Sequence, residues 1–255
     1  MNVAETSLAK WDQRIRRAEE LAAAQPSAAS ILRFYQRVAT CQKGLYWYLE
    51  ESAASDLGAL EAKAPEFLAE IEIAAPGPIA ESAREWRTRD VRKLLELHVS
   101  SPAPGCSPGG LLAWLVLLPY FEHLANRSAE RPERRASRWC PFCGRKPVVG
   151  VLRPEGDGAK RSLICSMCGT EWRLGRIRCA SCAEETPENL PVYSTKQFPH
   201  VRVEACNACR CYIKTVDMTK NGRAVPVVDE LATIPLNLWA EEHGYVKVQP
   251  NMIGL

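Results

Sequence analysis

Four Cys-x-x-Cys pairs fall in one stretch of the chain, at Cys140/Cys143, Cys165/Cys168, Cys179/Cys182 and Cys206/Cys209. Cysteines at this spacing form a knuckle whose sulfurs point the same way, and two knuckles complete a tetrahedral four-sulfur cage around one metal ion. Eight of the eleven cysteines sit in this register, which predicts two mononuclear tetracysteine sites rather than a disulfide framework. The simplest assignment places Cys140, Cys143, Cys165 and Cys168 on one ion, and Cys179, Cys182, Cys206 and Cys209 on the other. A cross-braced pairing, first knuckle with third, is the alternative. A four-sulfur tetrahedron suits zinc, which is structural, or a single iron, which changes oxidation state; spacing does not separate them.

The residues around the knuckles refine this reading. Gly144 and Gly169 directly follow their pairs, where glycine lets the backbone turn with positive φ and aim amide N–H groups at sulfur. Ala183 and Arg210 occupy the matching positions of the second unit, so a weaker or more labile second site is expected. Cys211 extends the last knuckle and reads as a spare thiol, Cys41 as a core residue, and Cys106 as a loop thiol with no histidine near it. His98, His123, His200 and His243 are scattered and read as structural, while Trp139 and Trp172 are expected to cover the small ribbon cores. No nucleophile elbow or phosphate loop is present, and Glu184-Glu185 and Glu241-Glu242 read as solvated charges, so an enzyme is not expected.

The elements that must carry these residues change character midway. The first half is helical: Leu8, Trp11, Ile15, Ala18 and Ala22 recur at helical steps behind Thr6 or Ser7 as N-cap, and Ile31, Phe34, Val38, Cys41, Leu45 and Tyr48 repeat the pattern behind Ser27 and Ser30. A short helix is expected to start at Pro65, another to run from Ile79 to Leu97, and an almost wholly apolar one from Gly110 to Ala125 after the loop at Ser101–Gly110. The polar segment Asn126–Arg138 marks the boundary. Beyond it, Val148–Leu152 and Ser162–Ile164 form strands about the Gly156/Gly158 turn. Val201, Val203 and Ala205 alternate with polar residues before Cys206, Tyr212–Met218 reads as a strand, and Asp229–Glu242 reads as a helix capped at Asp229. The fold class is therefore α+β: an N-terminal all-α domain (1–127), two tandem rubredoxin-like or zinc-ribbon β units (139–178 and 179–218), and a C-terminal helix and tail (219–255).

A net charge of +3 is too small to imply an anionic partner, but Arg131–Arg178 holds twelve Lys or Arg against four acids. That local excess either solvates a metal domain or touches nucleic acid or an acidic protein face. The longest apolar run, Leu111–Leu118, is too short to span a membrane. The opening residues lack an apolar signal core, and free thiol pairs need a reducing compartment, so a cytoplasmic protein without membrane insertion is expected.

Several stretches together resemble the formate dehydrogenase accessory protein family, FdhE. They are Trp139-Cys-Pro-Phe-Cys-Gly144, Leu163-Ile-Cys-Ser-Met-Cys-Gly-Thr-Glu-Trp172, Arg176-Ile-Arg-Cys-Ala-Ser-Cys182, Val203-Glu-Ala-Cys-Asn-Ala-Cys209, Tyr212-Ile-Lys214, and Asp229-Glu-Leu-Ala-Thr-Ile-Pro-Leu-Asn-Leu-Trp239 with Glu242-His-Gly-Tyr245. The resemblance implies two rubredoxin-like sites behind a helical domain, with iron as the bound ion. It also implies a maturation factor that binds the catalytic subunit of a respiratory, molybdenum-type formate dehydrogenase, with Cys140, Cys143, Cys165 and Cys168 mattering most. The competing readings are a rubredoxin-type electron-transfer protein and a nucleic-acid-binding zinc ribbon. The latter is disfavoured because no aromatic stacking run interleaves the basic residues, so nucleic acid is not an expected partner.

Overall fold

A computed structural model describes residues 3–52, 56–101, 107–128, 137–252 and 254. The chain divides into two compact units, residues 1–131 and 132–255.

The first unit is all helical: α1 (Val3–Ala24), α2 (Ala29–Ser52), α3 (Leu57–Ala74), α4 (Gly77–Arg87), α5 (Val91–Val99) and α6 (Pro108–Arg127). Its core is built from the apolar stripes, with Trp11, Leu32, Tyr46, Leu49, Leu60, Leu68 and Leu112 fully buried. Helix α6 is the buried one. Pro119 lies inside it and cannot donate to the Leu115 carbonyl; Gln42 Nε2 on α2 supplies that bond instead, at 2.8 Å. His123 is buried on the same helix, edge-on to Tyr46 and 3.1 Å from a Glu50 carboxylate oxygen. No described helix is long and apolar enough to cross a membrane.

Three helix boundaries differ from expectation. Helix α1 already runs through Thr6 and Ser7, and the Ser7 hydroxyl accepts from Asn126 Nδ2 instead of capping. Pro65 lies inside α3, which starts at Leu57 because the Asp56 carboxylate accepts from the Gly58 and Ala59 amides. The expected Ile79–Leu97 helix is two, because Asp90 caps a new start by accepting from Lys93 N. Cys41 is only half-buried on α2, and Cys106 lies outside the described residues, as do residues 129–136 of the boundary segment.

The second unit is one mixed sheet of β1 (Pro147–Glu155), β2 (Gly158–Cys165), β3 (Glu171–Arg173), β4 (Val192–Ser194), β5 (Val201–Ala205), β6 (Cys211–Asp217) and β7 (Val246–Lys247). Its order is β3-β2-β1-β6-β5-β4, with β7 beside β6. The predicted hairpin is there, turning between Glu155 and Gly158. Each tandem unit is an antiparallel ribbon, and the two are fused where β1 and β6 pair in parallel, Gly150 facing Thr215. That pairing is close: a Cβ on Gly150 would lie 2.3 Å from Thr215 Oγ1. One sheet face, carrying Val149, Val151, Val201, Val203, Tyr212 and Val216, packs under the C-terminal helices. These are α7 (Pro226–Ala232) and α8 (Ile234–Glu242), not one helix from Asp229. The chain breaks at Thr233, ahead of Pro235, and the Asp229 carboxylate sits within α7, accepting from Val225 N and lying 2.9 Å from His200 Nε2.

Candidate metal centres

All four knuckles close by the same local bonds. The amide of each first cysteine donates to the carbonyl five residues on: Cys140 to Arg145 (2.8 Å), Cys165 to Thr170 (3.0 Å), Cys179 to Glu184 (2.8 Å) and Cys206 to Cys211 (2.9 Å). The residue after each second cysteine is left-handed, with φ of +71° at Gly144, +64° at Gly169, +68° at Ala183 and +57° at Arg210. Ala183 and Arg210 thus make the same turn as the glycines, against a steric cost of about 1 kcal/mol each. Arg210 recovers part of this by stacking 4.1 Å over the Tyr245 ring and donating to the His243 carbonyl. The Cys211 carbonyl closes the last knuckle as a backbone acceptor, and its sulfur is not among the four that cluster in the second group.

The tertiary structure brings the sulfurs together in sequential pairs of knuckles. Cys140, Cys143, Cys165 and Cys168 form one group and Cys179, Cys182, Cys206 and Cys209 the other, each with all Sγ atoms within 4.8 Å of one another. Cross-knuckle separations include 3.5 Å (Cys140–Cys168) and 3.3 Å (Cys143–Cys165) in the first, and 3.7 Å (Cys179–Cys209 and Cys182–Cys206) in the second. A disulfide would be about 2.05 Å, whereas a tetrahedral four-sulfur cage with metal–sulfur bonds of about 2.3 Å has edges of about 3.8 Å. The donor sets therefore fit mononuclear tetrathiolate metals, the second group closely and the first slightly compressed. Amide donors face the sulfurs: Met167 N–H to Cys165 at 3.4 Å, and Ser181 N–H to Cys179 at 3.3 Å. In the protein alone the thiols oppose one another. Hydrogen bonding from Cys140 pulls Cys143 down, burial pushes Cys165 up, and burial raises Cys179 to about 11. A divalent or trivalent cation held by these cysteines would supply the charge that lets all four sulfurs be thiolates together.

Because β1 and β6 run parallel and each is entered from a knuckle, both tetracysteine groups lie at the same end of the sheet. Cys143, Cys182 and Cys209 are the more exposed residues of the eight. Trp172 packs as expected, its Nε1 donating to the Ser137 carbonyl at 2.7 Å. Trp139 does not: it is 39% exposed, with the Arg138 and Lys146 cations over its ring. None of the four histidines joins a tetracysteine group. Part of the basic stretch is paired within the fold, through Arg153–Glu171, Arg161–Glu204 and Arg173–Glu155, while Arg178 meets only the exposed Glu185.

Sequence reasoning missed two buried ionic clusters. On the helix-covered face, Lys214 lies 3.0 Å from Glu230, and Lys247 donates to the same carboxylate. On the other face Arg161 reaches from β2 to Glu204 on β5 at 2.6 Å, and Arg202 joins at 2.6 Å. The available signal was register: Lys214 occupies an inward position between Tyr212 and Val216.

A helical unit followed by two fused ribbons, each with four cysteines that fit a single metal ion, defines the class: a dual-ribbon metal-binding protein without an evident catalytic constellation among the described residues. Residues 139–176 match the FdhE central domain and residues 177–253 the FdhE C-terminal domain. The chain belongs to the FdhE family. It is 32% identical over 178 residues to a "Protein FdhE homolog" of Aquifex aeolicus, covering 68% of this chain and 62% of that protein. With "Protein FdhE" of Escherichia coli O1:K1 the identity is 26% over 193 residues, covering 72% of this chain and 62% of that one. The matches thus span about 62% of the length of these relatives or less. The crystal structure of the FdhE protein from Pseudomonas aeruginosa shares the fold, with TM-score 0.77, 22% identity and 96% of each chain covered.

Proposed function

We propose that this chain is an accessory factor required for a molybdenum-type formate dehydrogenase to become active, and that it grips the catalytic subunit through the end of the sheet that carries the knuckles. The observation that carries the reading is the pair of tetracysteine groups at one end of a single sheet, within the segment that matches both FdhE domains. Two metal sites at one end of the sheet form a rigid, locally charged surface suited to protein recognition. The eight knuckle cysteines are its ligands, with iron in both groups. Residues 1–127 then act as a helical domain, 139–178 and 179–218 as the metal units, and 219–255 as their buttress. The factor works in the cytoplasm and turns over no small substrate.

The test is complementation. A host lacking its own FdhE gene should regain formate dehydrogenase activity with this chain, and should not with Cys140→Ser/Cys143→Ser. The wild-type chain should also co-purify with the catalytic subunit. Full dehydrogenase activity in the uncomplemented host would overturn the proposal. A second reading, one-electron transfer of rubredoxin type, draws on the exposure of Cys182 and the half-burial of Cys209. It requires iron and a reversible couple, which voltammetry of the purified chain would reveal.

A further inference from the structure

The sheet face turned away from α7 and α8 carries a small cleft beside the second tetracysteine group, walled on one side by Cys179 and Ala180. Four arginines line it, namely Arg161, Arg176, Arg178 and Arg202, and Glu204 is the one acid among the lining residues. Glu204 is shared between Arg161 and Arg202, and its carboxyl is held below the usual range despite burial because both guanidiniums face it. Arg161 is almost wholly buried and is fixed further by the Gly175 and Arg178 carbonyls at 2.9 and 3.2 Å. The other two cations are not spent in this way. Arg178 meets only the exposed rim residue Glu185, at 3.2 Å, and its Nε is buried without a hydrogen-bond partner. Arg176 is exposed and makes no ion pair among the described residues. The floor between them is apolar, from Leu190, Val192 and Ile213.

Cations lining one cleft repel one another, and a buried guanidinium donor left unpaired is costly. An oxyanion in the cleft relieves both: guanidinium forks match the planar carboxylate and the phosphate geometry, and an apolar floor accepts a short carbon body. We infer that this cleft is an anion-binding site for a carboxylate or phosphate group, held by Arg176 and Arg178 over a platform organised by Arg161, Arg202 and Glu204. The group belongs either to a free small anion or to the acidic side chain or C-terminus of a partner polypeptide. This site is independent of the formate dehydrogenase reading, because it follows from the cleft alone.

Calorimetric titration of the full, metal-loaded chain tests it, with acetate, inorganic phosphate, and a short acidic peptide in free-acid and C-terminally amidated forms. Saturable binding of at least one probe is expected. It should weaken about tenfold or more in each of Arg176→Gln and Arg178→Gln, the loss expected for one charge-assisted hydrogen bond, and should fall with added salt. Arg176 is exposed, so its variant keeps the fold; unchanged metal content and circular dichroism would confirm this for both variants. Saturation by acetate or phosphate assigns a free anion, and saturation by the peptides alone assigns a partner's acid. No saturable binding by any probe, or equal affinity in folded wild type and both variants, overturns the inference.

Discussion

The buried cluster around Glu230 offers the sharpest test of the fold's energetics. Glu230 and Lys214 are each within 1% of full burial, and Lys247 and Asn251 close the carboxylate from the other side. Burial pushes Lys214 down to about 8, with Glu230 opposing that fall. The carboxyl of Glu230 stays low despite burial, because Lys214 and Lys247 face it. Glu230→Gln keeps the shape and removes the charge. Lys214 can then escape by losing its proton, which from a pKa of about 8 costs about 1.4 kcal/mol at pH 7. Lys247 loses the Glu230 charge as well, and breaking a buried pair typically costs a total of about 3–5 kcal/mol. A loss of about 3 kcal/mol at pH 7 is therefore expected, near the low end because of that escape.

The pH dependence follows from the same groups. Between about pH 8 and 10.4 the unfolded lysine binds a proton that the folded one does not, so wild-type stability rises with pH across that window. In Glu230→Gln the folded value lies lower and the proton is already gone at neutral pH. The difference between the two proteins should thus shrink by about 1.4 kcal/mol between pH 7 and pH 9.5. Hydrogen exchange of the β6 amides, corrected for intrinsic rates, reads the second unit by itself. A loss below about 1 kcal/mol at pH 7, or a gap as large at pH 9.5 as at pH 7, would refute the electrostatic account.

Other expectations follow from local geometry. Gly150→Ala drives a Cβ to 2.3 Å from Thr215 Oγ1 and should cost about 1–3 kcal/mol in thermal unfolding, partly recovered by adding Thr215→Ala. Ala183→Gly relieves a φ of +68° and should slow metal loss from the second group to a chelator, a rate followed by colorimetric release. Because the knuckles pair sequentially, Cys143→Ser/Cys165→Ser should retain one metal per chain by elemental analysis, whereas Cys143→Ser/Cys182→Ser should disrupt both sites. Equal metal content in those two double variants would contradict the pairing.

The legible part of this protein was whatever local covalent geometry dictates. A Cys-x-x-Cys pair is a knuckle because two residues of spacing place both sulfurs on one side of a tight turn, and that holds wherever the pair sits. The β1–β2 hairpin and strand β5 showed in alternation and in the Gly156/Gly158 turn, and the apolar helix α6 in its composition. Helix ends were less legible, because Asp56 and Asp90 caps competed with Pro65 and with a continuous apolar pattern. What the tertiary structure alone decided depends on residues distant in sequence. The parallel β1–β6 pairing fused two ribbons into one sheet and set both tetracysteine groups at the same end. The Arg161–Glu204 pair, 43 residues apart, and the Lys214–Glu230 pair, 16 apart, exist only because folding removes them from water together. Charge in a sequence says only that a side chain is costly to bury; where its counter-charge arrives is settled by the packing of the chain.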